Sequence, residues 1–234
     1  MSKTSLNTKG LYSALSAFSV DPWERVSESI IADFSNRNII SNFIKGCDAD
    51  IGGFSSVNFE YSNKASHFFG YISKQLPENK KVKKTGYAMI KSNKFSFSFD
   101  NNGYLDTSVC RYLAIHAKFD HRKYNLNVLY PSALKKDIHQ HVLQNKYINR
   151  WETVIIPLSN FALTNNGIIV SSQMSMYRQK VESIGLSVSD KKEGPFKLSI
   201  AWIKMFNSVL SDGDQDRVPN VGPGTWNSTN IEFR

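Results

Sequence analysis

The feature that most constrains this chain is alternation of apolar and polar residues in short runs, cut apart by turn residues. Phe95-Ser96-Phe97-Ser98-Phe99 places three phenyl rings on one side of an extended segment and two hydroxyls on the other, because successive strand side chains point to opposite faces. Val57-Asn58-Phe59-Glu60-Tyr61 and Tyr124-Asn125-Leu126-Asn127-Val128 repeat the pattern. Tyr112 to Ala117, Glu152 to Ile156, Ile184 to Val188 and Phe196 to Ile203 are also strand-like. Gly52-Gly53, Asn101-Asn102-Gly103, Asn165-Asn166-Gly167 and Glu193-Gly194-Pro195 punctuate them with residues that favour turns. Many short strands with few helical stretches between them predict an all-β antiparallel sandwich or barrel. No internal repeat is visible.

Length and apolar content allow one such domain. The chain has 234 residues, of which 41% are hydrophobic and 12% aromatic; a domain of this size buries roughly 70% of its unfolded surface and needs no metal or disulfide. We place the β-sandwich at 39–207. Residues 21–38 are expected to hold a short helix and lead-in: Asp21 suits an N-cap, Pro22 a first helical position. Trp23, Val26, Ile30, Ile31 and Phe34 recur at roughly helical spacing, giving a helix over 22–34. Residues 1–20 carry Lys3, Lys9, several serines and no acid, the composition of a mitochondrial presequence or a disordered leader. Gln173 to Glu182 forms a short helix or an irregular connection. Residues 208–234 lose apolar periodicity and read as an extended tail, with Trp226 and Phe233 able to tack it to the body.

The formal net charge of +9 and pI near 9.4 suit an anionic partner or an alkaline compartment. Lys80, Lys81, Lys83 and Lys84 lie between Pro77-Glu78-Asn79 and Thr85-Gly86, so they occupy a loop, either solvated or touching phosphate or anionic lipid. Lys135-Lys136 and Lys191-Lys192 are smaller clusters. Tyr87 and Phe95 face the core by alternation, which argues against a base-stacking platform, and no nucleic acid is expected. No run approaches the ~18 apolar residues of a membrane span, so membrane contact would be peripheral. Cys47 and Cys110 have no metal-like spacing and read as buried free thiols of a reducing compartment.

Few residues point to chemistry. Gly53-Phe54-Ser55-Ser56 lacks the second glycine of a nucleophile elbow, and Gly52-Gly53 is a turn pair rather than a phosphate loop. Asp48 and Asp50 sit in a polar turn and are read as turn formers. His139-Gln140-His141 would put two rings on one strand face, as metal ligands can, but no further ligand follows at a recognisable spacing. They are read as exposed strand histidines. No catalytic residue, metal or cofactor is assigned.

Five blocks then carry a resemblance. Cys47-Asp48-Ala49-Asp50-Ile51-Gly52-Gly53-Phe54-Ser55 is an acidic turn, an apolar residue, Gly-Gly, any residue and Ser. Gly70 to Ser73 and Gly86 to Ile90 follow. Trp151-Glu152-Thr153-Val154-Ile155-Ile156-Pro157-Leu158-Ser159-Asn160-Phe161 combines Trp, a strand, Pro, Ser and Phe. Ile184 to Val188, with Gly185, and Gly194-Pro195-Phe196 to Ile200 close the series. In this order, over about 40–206, they resemble the complex I intermediate-associated protein family. The resemblance implies a galactose-binding-domain-like jelly roll. It also implies a non-catalytic assembly factor or chaperone, peripheral to the inner membrane on the mitochondrial matrix side, binding protein subunits or assembly factors of a respiratory membrane complex.

Its motif residues Asp50, Gly52, Gly53, Ser55, Trp151, Pro157, Phe161, Gly185, Gly194 and Phe196 have structural explanations: positive-φ turns at Gly52 and Gly53, a strand end at Pro157, core or rim packing at Trp151 and Phe161. A buried Trp151 would cost about 3–5 kcal/mol on truncation. Ala117 to Lys123 and Pro131 to Asn149 depart from the family pattern and are read as edges and loops where a partner surface lies. Jelly rolls of this kind also bind sugars, which makes a carbohydrate-binding module the alternative.

Residues 1–20 should be dispensable for folding. A chain beginning at Asp21 is expected to melt within a few degrees of the full chain; a larger drop would show that the leader packs on the body.

Overall fold

Two antiparallel sheets enclose one apolar core in the computed structural model of the chain, which describes residues 28–79, 82–95, 103–131, 137–207 and 226–227. The strands are β1 (Glu28–Asp33), β2 (Phe43–Cys47), β3 (Ser56–Ser62), β4 (Ala65–Ile72), β5 (Ala88–Ser92), β6 (Tyr112–Lys118), β7 (Tyr124–Leu129), β8 (Asp137–Leu143), β9 (Trp151–Pro157), β10 (Ala162–Asn165), β11 (Ile168–Ile169), β12 (Ser183–Val188), β13 (Gly194–Phe206) and β14 (Trp226–Asn227). The first sheet runs β14-β9-β6-β13-β4-β3, with β1 added to β13; the second runs β11-β10-β8-β7-β12-β5-β2. The expected strand at Phe95 to Phe99 falls mostly outside the described residues.

Alternation assigns the faces. On β6, Leu113, Ile115 and Ala117 enter the core, while Tyr112, Ala114, His116 and Lys118 occupy the opposite side of the sheet. Phe68 of β4 meets Tyr124 of β7 across the sandwich, ring centroids 6.3 Å apart, and packs on Phe196 of β13 at 4.9 Å. Cys47 and Cys110 are buried free thiols, as their spacing implied. The Asn165-Asn166-Gly167 signal becomes a two-residue hairpin between β10 and β11, with φ of 51° at Asn166 and 71° at Gly167, the geometry that matches strand twist.

The expected N-terminal helix is corrected. Residues 22–27 lie outside the described residues, and Glu28–Asp33 is a strand paired with β13. The physical cause is a register shift between Ile30 and Ala32. It turns Ile31 and Ala32 both toward the core, which breaks strict alternation and imitates a helical stripe. β13 supplies the pairing edge, because β4 ends opposite Ile200 and β1 takes over from Trp202. Phe34 then inserts fully, 5.2 Å from Phe43 and 6.1 Å from Phe59. The sandwich therefore includes residues assigned above to the lead-in.

Of the two divergent segments, residues 119–123 form the expected loop between β6 and β7, and the other is corrected. Asp137–Leu143 is β8, an interior strand between β7 and β10. In the Ala117 to Lys123 segment, Arg122 is buried and spends its guanidinium on the turn that precedes β13. Its Nε and Nη2 donate to Asp190 at 2.8 and 2.7 Å, and further bonds reach the carbonyls of Lys192, Gly194 and Pro195. Burial disfavours the charged Asp190, but the Arg122 hydrogen bonds and charge outweigh it and hold the carboxyl below its ordinary range.

A carboxyl with a depressed folded-state pKa stabilises the fold above its unfolded value of about 4 and loses that contribution as pH falls through the folded value. Arg122→Met should therefore cost about 3–5 kcal/mol at pH 7, because it strands a buried carboxylate. Asp190→Asn should flatten the loss of stability on acidification below about pH 4. Urea unfolding at neutral and acid pH measures both; equal slopes in wild type and Asp190→Asn would refute the coupling.

Candidate functional site

Three loops at one end of the sandwich are tied together by a single buried carboxylate. Asp48 is fully buried. Its Oδ1 accepts the Ser55 N–H at 2.8 Å; its Oδ2 accepts the Ser55 hydroxyl at 2.8 Å and the Gly86 N–H at 2.5 Å. Ser55 Oγ in turn accepts the Ser73 N–H at 3.0 Å, and Asp48 N donates to Tyr87 O at 3.3 Å. Asp48 thus joins the 47–55, 73–79 and 82–87 loops. Charge-assisted bonds to backbone N–H groups are what make a buried carboxylate tolerable.

The sequence reading took Asp48 and Asp50 alike as turn formers and counted only Asp50 among the motif residues. The structure exposes Asp50, whose carboxylate accepts the Cys47 N–H at 3.3 Å. Gly52 has the expected positive φ, 90°. Gly53 does not: it is glycine because a Cβ there would lie 2.6 Å from Asp48 Cγ. The available signal was the pairing of Asp48 with Ser55 across a Gly-Gly turn.

Outside this knot the loops show apolar tips. Ile51, Phe54 and Leu76 are 45%, 54% and 55% exposed, and Lys74, Lys83 and Lys84 are exposed on the same loops. Lys80 and Lys81 lie outside the described residues. Thr85 Oγ1 donates to Gln75 O at 3.2 Å, fixing the lysine loop to the Leu76 loop.

A second feature stands on the outer face of the first sheet. Trp151 of β9, His116 of β6 and Trp202 of β13 stack side by side, centroids 5.4 Å apart at both steps and interplanar angles of 16° and 17°. Lys118 Nζ lies 5.9 Å from the Trp151 ring and Lys204 Nζ 4.7 Å from the Trp202 ring, within cation–π reach. Tyr112 and Phe206 stack at 5.4 Å on the same face. The expected burial of Trp151 is corrected: the side chain is 42% exposed, because position 151 points away from the core that Val154 and Ile156 enter. His116 shares a 2.9 Å hydrogen bond with Thr153 Oγ1. Burial lowers its pKa, so the ring is neutral at pH 7.

The strand histidines are corrected too. His139 and His141 are buried, because β8 turns Asp137, His139, His141 and Leu143 inward. His139 Nε2 bonds Met174 O at 2.9 Å and its ring packs on Tyr130; burial lowers its pKa, opposed by the Met174 bond and the Asp137 charge. His141 Nδ1 bonds Asn160 O at 3.2 Å, with Phe161 5.6 Å away. Both rings anchor loop carbonyls. No group of three or more metal-capable residues occurs among the described residues. Phe161 and Phe196 are core residues, Pro157 ends β9, Gly185 lies inside β12, and Gly194 opens β13.

The family model of Complex I intermediate-associated protein 30 matches residues 32–200. The Neurospora crassa protein named Complex I intermediate-associated protein 30, mitochondrial, is 33% identical over 178 residues, covering 65% of this chain and 64% of the relative. Proteins of the same name from Drosophila melanogaster and Mus musculus are 28% and 25% identical, covering 74% and 76% of this chain but 61% and 56% of their own length. The chain spans less than two thirds of these relatives.

Among solved structures, the family 11 carbohydrate-binding module of a Clostridium thermocellum cellulosomal cellulase superposes with a TM-score of 0.55 at 14% identity, over 78% of this chain and 95% of that one. The same type of module in complex with a mixed-linked tetrasaccharide gives 0.52, also at 14% identity, over 77% and 96%. These likenesses identify the fold as a jelly-roll β-sandwich. The family match runs from β1 into β13 and takes in the Asp48 knot, Trp151 and the closing strands, so the chain belongs to the Complex I intermediate-associated protein 30 family.

Proposed function

We propose that this chain is a non-catalytic assembly factor that binds intermediates of mitochondrial respiratory complex I during biogenesis, on the matrix side of the inner membrane and peripheral to it. Its partners on this reading are protein subunits or other assembly factors. The observation that carries the proposal is the outer face of the first sheet, where Trp151, His116 and Trp202 form a cation-flanked aromatic row within the family-matched span or beside its end. Aromatic residues of this kind anchor protein interfaces. The curated relatives bear a complex I intermediate-associated, mitochondrial name, which supports the same direction.

The jelly-roll neighbours raise carbohydrate binding as an alternative, but their likeness concerns fold alone. The aromatic row argues against it at this face. His116 lies between the two indoles, so one face of each indole is covered, and a lysine lies within cation–π reach of each indole ring. A sugar ring stacks on an open aromatic face; a protein groove can receive an edge.

The test is affinity capture of the full chain from mitochondria of its source, comparing wild type with Trp151→Ala. A half-exposed indole in a stacked pair contributes about 0.5–1.5 kcal/mol beyond area burial, so the variant should stay folded and melt within several degrees of wild type. Loss of an interface anchor costs about 2 kcal/mol or more, so recovery of complex I intermediates should fall roughly thirty-fold. Unchanged recovery would move the contact off this face. Binding to a glycan array with no recovery of intermediates would favour the carbohydrate reading.

A further inference from the structure

We propose that the loop end organised by Asp48 is a docking surface for an anionic lipid bilayer. Ile51, Phe54 and Leu76 enter the boundary between headgroups and acyl chains, and Lys74, Lys83 and Lys84 contact headgroup phosphates. The inference takes from the preceding section only that the protein works beside a membrane.

The first argument is exposure without a structural reason. Ile51, Phe54 and Leu76 are each about half exposed, none belongs to the core or the residues packed on it, and they sit on loops rather than on a strand whose alternation would impose an outward position. Large apolar groups gathered at one end of a molecule mark an interaction site.

The second argument is preorganisation. Asp48 fixes the loop carrying Ile51 and Phe54 to the start of β5 through Gly86 N–H. Ser55, the residue after Phe54, accepts the Ser73 N–H of the Leu76 loop. Thr85 ties Leu76's neighbour Gln75 to the lysine loop. A Cβ added to Gly52 would lie 3.5 Å from Pro77 Cβ, so the Ile51 turn and the Leu76 loop are adjacent. The apolar tips are presented already ordered, which removes the entropic cost of ordering them on insertion.

The third argument is charge, and it selects the occupant. Lys74, Lys83 and Lys84 are exposed around these tips. Of the two exposed acids on the same loops, Asp50 turns a carboxylate oxygen back onto the Cys47 N–H, and Glu78 is the other. Apolar tips among lysines match an anionic interface, where apolar groups enter the acyl boundary and cations meet the negative surface potential. The tips stand as prongs on two loops, Ile51 and Phe54 on one and Leu76 on the other. A fluid bilayer accommodates prongs one by one, whereas a protein partner requires a contiguous complementary surface. No described helix is long and apolar enough to cross a membrane, so any contact made by the described residues through helices would be superficial.

The experiment is vesicle flotation of the full chain with phosphatidylcholine vesicles, alone and mixed with phosphatidylglycerol, at low and high salt. Wild type should float with the anionic vesicles and at least tenfold less with phosphatidylcholine alone. Phe54→Ser with Leu76→Ser should reduce flotation at least tenfold at both salt concentrations. Lys83→Gln with Lys84→Gln should reduce it about fivefold per lysine at low salt and weaken the salt dependence. Melting curves check that these surface variants remain folded, and Phe54→Trp should show a blue-shifted emission on anionic vesicles if the tip inserts. Trp151→Ala should float like wild type, which separates failure of this proposal from failure of the protein-binding reading. Unchanged flotation of the Phe54→Ser, Leu76→Ser protein overturns the proposal. So does absence of anionic preference, or capture of complex I intermediates that the same double variant abolishes without any vesicle binding by wild type; that last result would assign the prongs to a protein.

Discussion

A carboxylate removed from water must find its hydrogen bonds inside the protein, and the loop end of this molecule is arranged around that requirement. Asp48 takes donors from Ser55 and Gly86, two positions far apart in the chain. Neither loop can move without leaving a buried charge underbonded, the costliest kind of polar burial. The turn between Asp48 and Ser55 must then bring Gly53 so close to the carboxylate that no side chain fits, and Ser55 must offer both its N–H and its hydroxyl. The Gly-Gly and serine of the motif follow from the aspartate, together with the alignment of β2, β3 and β5 where they emerge from the sandwich. Arg122 and Asp190 solve the same problem at the turns leading into β7 and β13.

Much of the strand framework is legible in the alternation. Val57 to Tyr61, Tyr112 to Ala117, Tyr124 to Val128, Glu152 to Ile156 and Ile184 to Val188 all fall within strands, Tyr112 to Ala117 and Ile184 to Val188 being buried on nearly every position of both faces. The reading fails where burial and polarity part company. β8 turns two histidines and an aspartate inward and leaves Ile138, Gln140 and Val142 outward, so its alternation has the wrong sign for a strand judged by hydropathy. It fails again at β1, where one extra residue turns two neighbours to the same side. Both are tertiary effects: each inward histidine bonds one ring nitrogen to a loop carbonyl, His139 to Met174 and His141 to Asn160, which no local window contains.

The sites were less legible than the fold for a related reason. Residue type marks Asp50 and Trp151 as well as it marks Asp48 and Phe161, but their roles depend on which way the backbone faces them. Asp48 is inside and Asp50 outside, two residues apart in a tight turn. Trp151 begins a strand whose core positions are Val154 and Ile156, so its indole goes to the outer face.

The two outer faces of the sandwich then resolve their polarity differently. On the second sheet, Thr164 donates to Gln140, Gln140 to Asn127 and Asn127 to Ser187, at 2.9, 2.9 and 3.0 Å. That ladder crosses four strands and satisfies itself, so it demands nothing from outside. On the first sheet the corresponding ladder is aromatic. Stacking covers one face of each indole against His116 but leaves Trp151 42% exposed, flanked by lysine. Apolar area left exposed on a sheet face, unlike a completed hydrogen-bond ladder, gains free energy when covered. Val142 on the second sheet is as exposed as Trp151, so the reason to look for a partner on the first sheet is the aromatic row with its flanking lysines.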